Sequence, residues 1–315
     1  MLRKSLAALV VVAAICAVAH SAEPAAGKPP AALEVLVLGS GGPAALGRAA
    51  SSYLVLLEGE PRLLVDAGPG SFARLGEAHV SLAALDTVLL THLHVDHAAE
   101  LPGIVKARAV SATHPIHFDV YGPAGHPAEA DGAPFPSTRE FMRLLFGAHG
   151  AFAYLKDFSA PVSFDVSDLP IAGAAGRQPR SLLHRGALSV TAIAGHHGDA
   201  PAIIYRIEYR GRSVVFSGDV DAHGLPALET LARGANLLVF DAVVLDPPGS
   251  PEVLYSLHTP PHAIGAVAAR SGAGMLLLSH LSPPVDGDRA AVTASVAGQF
   301  HGVVQFAADG LRVQP

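Results

Sequence analysis

Cysteine is almost absent from this chain of 315 residues: Cys16 is the only one. That count excludes a disulfide framework and a cysteine-based zinc finger. Lysine is nearly as scarce, occurring at Lys4, Lys28, Lys106 and Lys156. Charged residues make up 15% of the chain, against an average of about 25%. The formal net charge is −6, which excludes a strongly basic nucleic-acid binder. Half of the residues are apolar, which excludes a disordered chain, since disorder goes with low hydrophobicity and high charge. Histidine is what the sequence holds in excess, with 17 copies, and it directs the search for chemistry.

Residues 1–22 read MLRKSLAALVVVAAICAVAHSA. Arg3 and Lys4 precede an apolar run from Leu6 to Val18, and Ala17-Val18-Ala19 or Ala19-His20-Ser21 offers a cleavage site. This is the layout of a secretory signal peptide. The alternative is an N-terminal membrane anchor, but the run falls short of the roughly 20 residues of a spanning helix. Ile15 stands where a small residue should precede a lipidated cysteine, which argues against a lipoprotein. The expectation is a periplasmic or secreted protein with no stable membrane anchor. Cleavage after Ala22 removes Cys16, Arg3 and Lys4 and takes the net charge from −6 to −8. Residues 23–32, EPAAGKPPAA, read as a flexible linker. Residues 33–315 form the expected catalytic domain.

Within that domain the apolar pattern predicts two βα-rich halves. Glu34–Leu38, Ser52–Leu57 and Arg62–Val65 read as strands, the last two joined by a hairpin loop at Glu58-Gly59-Glu60-Pro61. Asp86–Leu90 is a strand running into Thr91-His92, and residues 99–111 read as a helix. The second half repeats the theme with strands at Leu188–Ile193, Ala202–Tyr209 and Ser213–Phe216, the last two joined by a tight turn at Arg210-Gly211-Arg212. Leu237–Phe240 and Met275–Leu278 are nearly all apolar, as in a sheet covered on both faces. Two such halves predict an α/β fold of two packed sheets with helices outside. Between them, residues 122–136 are rich in Gly and Pro. Ser137 and Glu140 then form a capping box for a helix that ends at Gly147. This insertion reads either as a lid over a site or as a packed surface element.

The densest chemical signal is Thr91-His92-Leu93-His94-Val95-Asp96-His97. His92 and His94 are two apart at a strand end, so both rings can point to one side. Three imidazoles and a carboxylate within six residues suit zinc or another borderline metal. A core this large needs no metal for its stability, so such a site is functional rather than structural.

His92-x-His94-x-Asp96-His97 resembles the signature of the metallo-β-lactamase superfamily. The resemblance extends over most of residues 34–315, through Gly39-Ser40-Gly41-Gly42-Pro43, Leu64-Val65-Asp66-Ala67-Gly68 and Ser217-Gly218-Asp219. Asp96-His97 and the lack of a ligand cysteine resemble the ribonuclease Z and arylsulfatase-like branch. The resemblance implies an αββα four-layer sandwich with a two-metal site at one edge. It asks for a histidine before the second hairpin, where His196 and His197 stand together. Spacing alone leaves the two open, since neighbours on an extended chain face opposite ways. The tail H-G-x-x-P-A resembles relatives best with His197 as the ligand. Asp219 resembles the family's bridging carboxylate, and His280, ending an apolar strand, its last ligand.

The resemblance thus implies two zinc ions per chain. His92, His94 and His197 hold one, and Asp96, His97 and His280 the other, with Asp219 between them. Manganese or iron remain open as native metals. A water shared by two such cations becomes a hydroxide nucleophile near neutral pH. Asp96 and His258 are the candidate catalytic residues. Thr259 reads as an N-cap and Pro260 as the first helical residue, which sets His258 at a helix start, where anions are favoured. His258 resembles the ribonuclease Z histidine that helps protonate the leaving group. His184, His223, His262 and His301 read as ordinary polar residues.

The expected activity is hydrolysis of a phosphodiester or sulfate ester. A lactonase or other acyl hydrolase, or a catalytically silent metal-binding or sensing protein, are the alternatives. The sequence departs from ribonuclease Z in lacking a Gly/Pro arm flanked by Lys and Arg. That departure, the negative charge and the expected export argue for a small anionic or ester substrate and against nucleic acid. Self-association stays open.

Overall fold

The computed structural model describes residues 30–44, 47–127, 134–158 and 160–315. The expected signal peptide, and all of the expected linker except its last three residues, lie outside the described residues. Among the described residues no helix is long and apolar enough to cross a membrane.

Among the described residues, fourteen strands form two seven-stranded sheets. The first sheet is built from β1 (Leu33–Gly39), β2 (Ser52–Leu57), β3 (Glu60–Ala67), β4 (Thr87–Leu89), β5 (Ile116–Pro123) and β6 (Val162–Leu169). The second contains β7 (Arg180–Arg185), β8 (Leu188–Ala194), β9 (Ile203–Tyr209), β10 (Arg212–Phe216), β11 (Leu237–Asp241), β12 (Met275–Ser279) and β13 (Val303–Phe306). The last strand, β14 (Arg312–Val313), returns to the first sheet beside β1. Each sheet opens with antiparallel hairpins and continues in parallel strands: β3, β4, β5 and β6 in the first, β10 to β13 in the second.

Strand side chains alternate between two different cores, which is why the strands read as almost wholly apolar. Val35, Val37, Tyr53, Val65 and Leu89 face Val190, Tyr205, Val214, Phe216 and Val239 between the sheets. The alternate residues Leu36, Leu54, Leu64 and Val88 pack outward against Leu101, Ile104, Met142 and Phe146 of the helices Leu101–Val110 and Thr138–Phe146. On the other side Ile204, Val215, Leu238 and Leu276 pack against Leu228, Ile264, Val267 and Val296 of the helices Leu225–Ala232, Pro261–Ser271 and Arg289–Ala297. The result is the expected αββα sandwich.

Several local expectations shift. The first hairpin turn is only Glu58-Gly59, both at positive φ, as a two-residue type I′ turn requires. Pro61 therefore lies inside β3, where the register slips beside it and no ladder N–H is called for. Strands β5, β6, β7, β13 and β14 were not foreseen. Gly122 and Pro123, expected in a loop, close β5 instead. Ser137 does cap its helix, accepting from Glu140 N at 3.2 Å. The Glu140 side chain, however, turns to Arg143 and leaves the box half made. Thr259 is not the expected N-cap. Its hydroxyl donates to Val220 O at 2.7 Å, and the cap falls to Pro260.

Two polar links join the sheets directly under the histidine motif. Tyr205 Oη of β9 donates to Leu90 O at 3.0 Å, and Ile203 N donates to Thr91 O at 2.8 Å. Tyr205 is fully buried. Tyr205→Phe is expected to lower the unfolding free energy by about 1–2 kcal/mol, because Leu90 O loses a buried donor. Denaturant unfolding checks this, and an unchanged midpoint would show that the link carries no weight.

Candidate metal centre

Parallel strands carry the site to one end of the sandwich. Asp66 lies near the end of β3, His92 just past β4, Asp219 just past β10, Asp241 at the end of β11 and His280 just past β12. In open α/β sheets ligands gather outside the carboxyl ends of the strands, where loops diverge. Here two sheets present such ends side by side. Gly218, at φ 56°, lets the Asp219 loop pass Thr91 closely: a Cβ there would meet Thr91 Cβ at 2.7 Å.

The structure brings all seven expected ligand residues together. His92, His97, His197, Asp219 and His280 are buried. Donor atoms of His92, His94 and His197 all lie within 4.8 Å of one another, and so do those of His97, Asp219, Asp241 and His280. Asp219 stands between the two sets. Its Oδ2 is 3.9 Å from His92 Nε2 and 3.4 Å from His197 Nε2. Its Oδ1 is 3.9 Å from His97 Nε2 and 3.5 Å from His280 Nε2. Asp96, in the short helix Val95–Ala98, sets Oδ2 at 3.2 Å from His280 Nε2 and 3.8 Å from His97 Nε2. Of the adjacent pair, His197 points inward. His196 turns out to solvent with its side chain 47% exposed, held through Nδ1 to Asp221 at 2.7 Å.

The far sides of the rings are fixed by groups that leave Nε2 as the free lone pair. His97 Nδ1 donates to Asp66 Oδ2 at 2.8 Å. Thr91 Oγ1 donates to the same carboxylate at 2.8 Å and accepts from His92 Nδ1 at 3.1 Å. His197 Nδ1 donates to Leu257 O at 2.8 Å. Such outer partners orient metal-binding imidazoles and set their tautomer.

Three features fit bound metal better than a hydrogen-bond network. His92 Nε2, His97 Nε2 and Asp219 Oδ1 are buried without a hydrogen-bond partner, which is costly unless something else engages them. Their separations exceed hydrogen-bond length, yet neighbouring ligands of a tetrahedral zinc at about 2.0–2.1 Å stand about 3.4 Å apart. The field also favours positive charge. Burial opposes a charge on His97, but Asp66, Asp219 and Asp96 hold its pKa up at about 10. Burial would likewise raise Asp219, yet His280, His258, His97 and His197 keep its carboxyl well below the usual range. Burial and the neighbouring His97 hold His92 neutral, the state in which imidazole binds metal.

His258 comes closer to this centre than a helix-start position suggests. It is buried, with Nδ1 unpartnered and 3.9 Å from Asp219 Oδ2. Burial pushes its pKa down to about 4, with Asp219 opposing. From the insertion, Phe135 sets its ring 6.2 Å from that of His94, while Met142 and Phe146 pack onto the outer core. The insertion is thus a packed layer that also reaches the site.

Sequence reasoning gave no role to Asp66, Asp221 or Asp241. Asp241 is buried beside Asp219, and burial first, against the pull of His280, pushes its carboxyl up to about 7. A carboxylate directly after an apolar run at a strand end, Leu63-Leu64-Val65 and Leu237–Phe240, was the available signal for both Asp66 and Asp241. Asp221 carries no such mark.

The inward and outward faces of the adjacent pair give a direct test. His197→Ala is expected to lose bound metal, whereas His196→Ala should keep the metal content of the unmodified protein with a milder defect. Metal content of the two purified variants decides, and the reverse ranking would move the ligand to His196.

Comparison with known proteins agrees with this geometry. The model of the beta-lactamase superfamily domain matches residues 61–281. A ribonuclease Z of Mycobacterium avium is 33% identical over 295 residues, covering 90% of this chain and 98% of that protein. A ribonuclease Z of Mycobacterium marinum is 31% identical with the same coverage. Among solved structures, the metallo-beta-lactamase fold protein YhfI of Bacillus subtilis superposes with a TM-score of 0.67 at 23% identity, over 91% of this chain and all of that one. The short form of human tRNase Z gives 0.66 at 22% identity, over 90% and 99%. At that identity the two structures speak to the fold alone. With a domain match over most of its length and identity above 30% along nearly the whole of its curated relatives, this chain belongs to the β-lactamase superfamily, as a metal-dependent hydrolase akin to ribonuclease Z.

Proposed function

We propose that this protein is a dinuclear zinc phosphodiesterase. The observation that carries the reading is Asp219, whose two oxygens face two separate imidazole sets at 3.4–3.9 Å. His92, His94 and His197 would hold one ion, and Asp96, His97 and His280 the other, with Asp219 facing both sets. When bound, such ions would supply a nucleophile from water at neutral pH and neutralise charge on a phosphoryl oxygen.

The chain's own residues do the rest. Asp66, Thr91 and Leu257 O fix three ligand rings before any substrate arrives, so little reorganisation is left for the reaction step. His258, neutral at pH 7 and beside the bridging carboxylate, offers a ring N–H to the leaving oxygen. Phe135 walls one side of the site and leaves the approach past His94 partly apolar.

Relatives named ribonuclease Z, aligned over nearly their full length, favour a phosphodiester and make RNA the first substrate to test. This revises the expectation against nucleic acid. Net charge describes the whole chain, whereas substrate binding depends on the local field, which here is made by the metal centre. The sulfate-ester half of the expectation finds no support among these relatives. Export stays part of the proposal, and the mass of the mature protein tests it.

Zinc-loaded protein is expected to hydrolyse bis(p-nitrophenyl) phosphate and to cleave RNA. Turnover of p-nitrophenyl sulfate and of simple lactones should be at least about 100-fold lower. Asp219→Ala should abolish activity and lower the metal content. His258→Ala should keep its metals and lose about 10²–10⁴-fold in rate, the usual worth of a general acid. Lactone turnover exceeding phosphodiester turnover would overturn the reading, and metal loss in His258→Ala would make that residue a ligand.

A further inference from the structure

The loop carrying His197 and the loop carrying Asp219 come from different strands, yet their ligand atoms stand 3.4 Å apart. Something must hold that separation, and the hydrogen bonds around Asp221 do so. Asp221 is buried, at 2% exposure, two residues after Asp219. Its Oδ2 accepts from Gly198 N at 3.0 Å and from His196 Nδ1 at 2.7 Å. Its Oδ1 accepts from His223 N at 2.8 Å, and its own N donates to His196 O at 2.9 Å. One residue thus grips the chain on both sides of His197, through the carbonyl and ring of residue 196 and the amide of residue 198.

The local backbone makes that grip necessary. Gly198 takes φ 57°, and the chain folds back so that Ala200 N donates to His197 O at 3.0 Å. A turn of this kind has many near-equivalent conformations unless its amides are anchored. The His197 ring itself is held by Leu257 O, on a third segment. With ring and flanking backbone both fixed, Nε2 has one place to point, toward Asp219 Oδ2.

We propose that Asp221 is a positioning residue that sets the His197–Asp219 separation and thereby tunes the ion held by His92, His94 and His197, leaving the other ion largely untouched. The inference rests on the two-ion reading of the centre. The His196 ring, exposed on the outer side, is the dispensable part of the clamp; the Gly198 N–H bond to the Asp221 carboxylate is the working part that a substitution removes, while the bond from Asp221 N to His196 O persists in every variant.

Zinc and cobalt titrations of the full chain against a competing chelator test it, read out by stoichiometry, by affinity and by the cobalt d–d absorption. In Asp221→Ala one of the two ions should bind about 10–100-fold more weakly, the usual cost of losing an outer partner of a metal ligand. The other ion should stay within about threefold of the unmodified protein. Asp221→Asn, which keeps one acceptor for Gly198, should recover part of the loss, and His196→Ala should stay within about threefold for both ions. His94→Ala, which removes a direct ligand of the His92–His94–His197 set, identifies the ion: it should lose the same ion that Asp221→Ala weakens and keep the other. Thermal unfolding confirms that each variant folds. Unchanged affinity for both ions in folded Asp221→Ala would overturn the proposal, as would an equal loss of both. Should that variant fail to fold, unchanged affinities in Asp221→Asn overturn it instead. If the unmodified protein binds fewer than two ions, the two-ion reading itself has failed, an outcome distinct from either.

Discussion

A single buried carboxylate governs the arrangement of this end of the molecule. Asp219 would be driven toward its neutral form by burial, yet it is surrounded by His92, His97, His197, His258 and His280. His280, His258, His97 and His197 hold it ionised. It holds them in turn, by facing one group with each oxygen. A buried charge left unpaired costs several kcal/mol, so the loops that deliver these rings cannot drift apart cheaply. The sandwich brings parallel strand ends of two sheets to one edge, and Asp219 is the point on which both converge.

Around it the backbone adopts conformations that side chains normally avoid. Asp66 and His280 both sit at positive φ, 55° and 54°, a left-handed region that costs a non-glycine residue about 1–3 kcal/mol. Each is compensated by its contacts. Asp66 accepts from Thr91 N, Thr91 Oγ1 and His97 Nδ1, while His280 Nε2 faces Asp96 and Asp219. Strain at residues with such dense polar contacts marks a place where geometry has been favoured over local stability. The partners of the imidazoles follow the same logic, since Asp66, Thr91 and Leu257 O each commit an Nδ1 and leave Nε2 to the centre.

Much of this was legible in the sequence, for identifiable reasons. Strands covered on both faces are apolar at every position, so Leu237–Phe240 and Met275–Leu278 could be read directly, and two hairpin-plus-helix halves implied two sheets. The His92–His97 motif is compact enough to be seen without its partners. Strands β6 and β7 were hidden because they are half-exposed edge or near-edge strands with mixed patterns. In β5, Gly122 and Pro123 resemble a turn until the last pair of the β5–β6 ladder is seen. Asp221 was invisible for a different reason. Its importance lies in accepting the main-chain N–H of Gly198, on a loop 23 residues earlier in the chain, and no residue-type pattern encodes that meeting.

Zinc K-edge X-ray absorption on the metal-loaded protein addresses the central claim most directly, because it sees the ions and their neighbours alone. The expected spectrum has a shell of nitrogen and oxygen at about 2.0–2.1 Å with no sulfur, together with metal–metal scattering at about 3.5–4 Å. Asp219→Ala should remove the metal–metal feature. A spectrum of isolated zinc, with no second metal within about 4 Å at two equivalents bound, would contradict a shared Asp219 and with it the proposed centre.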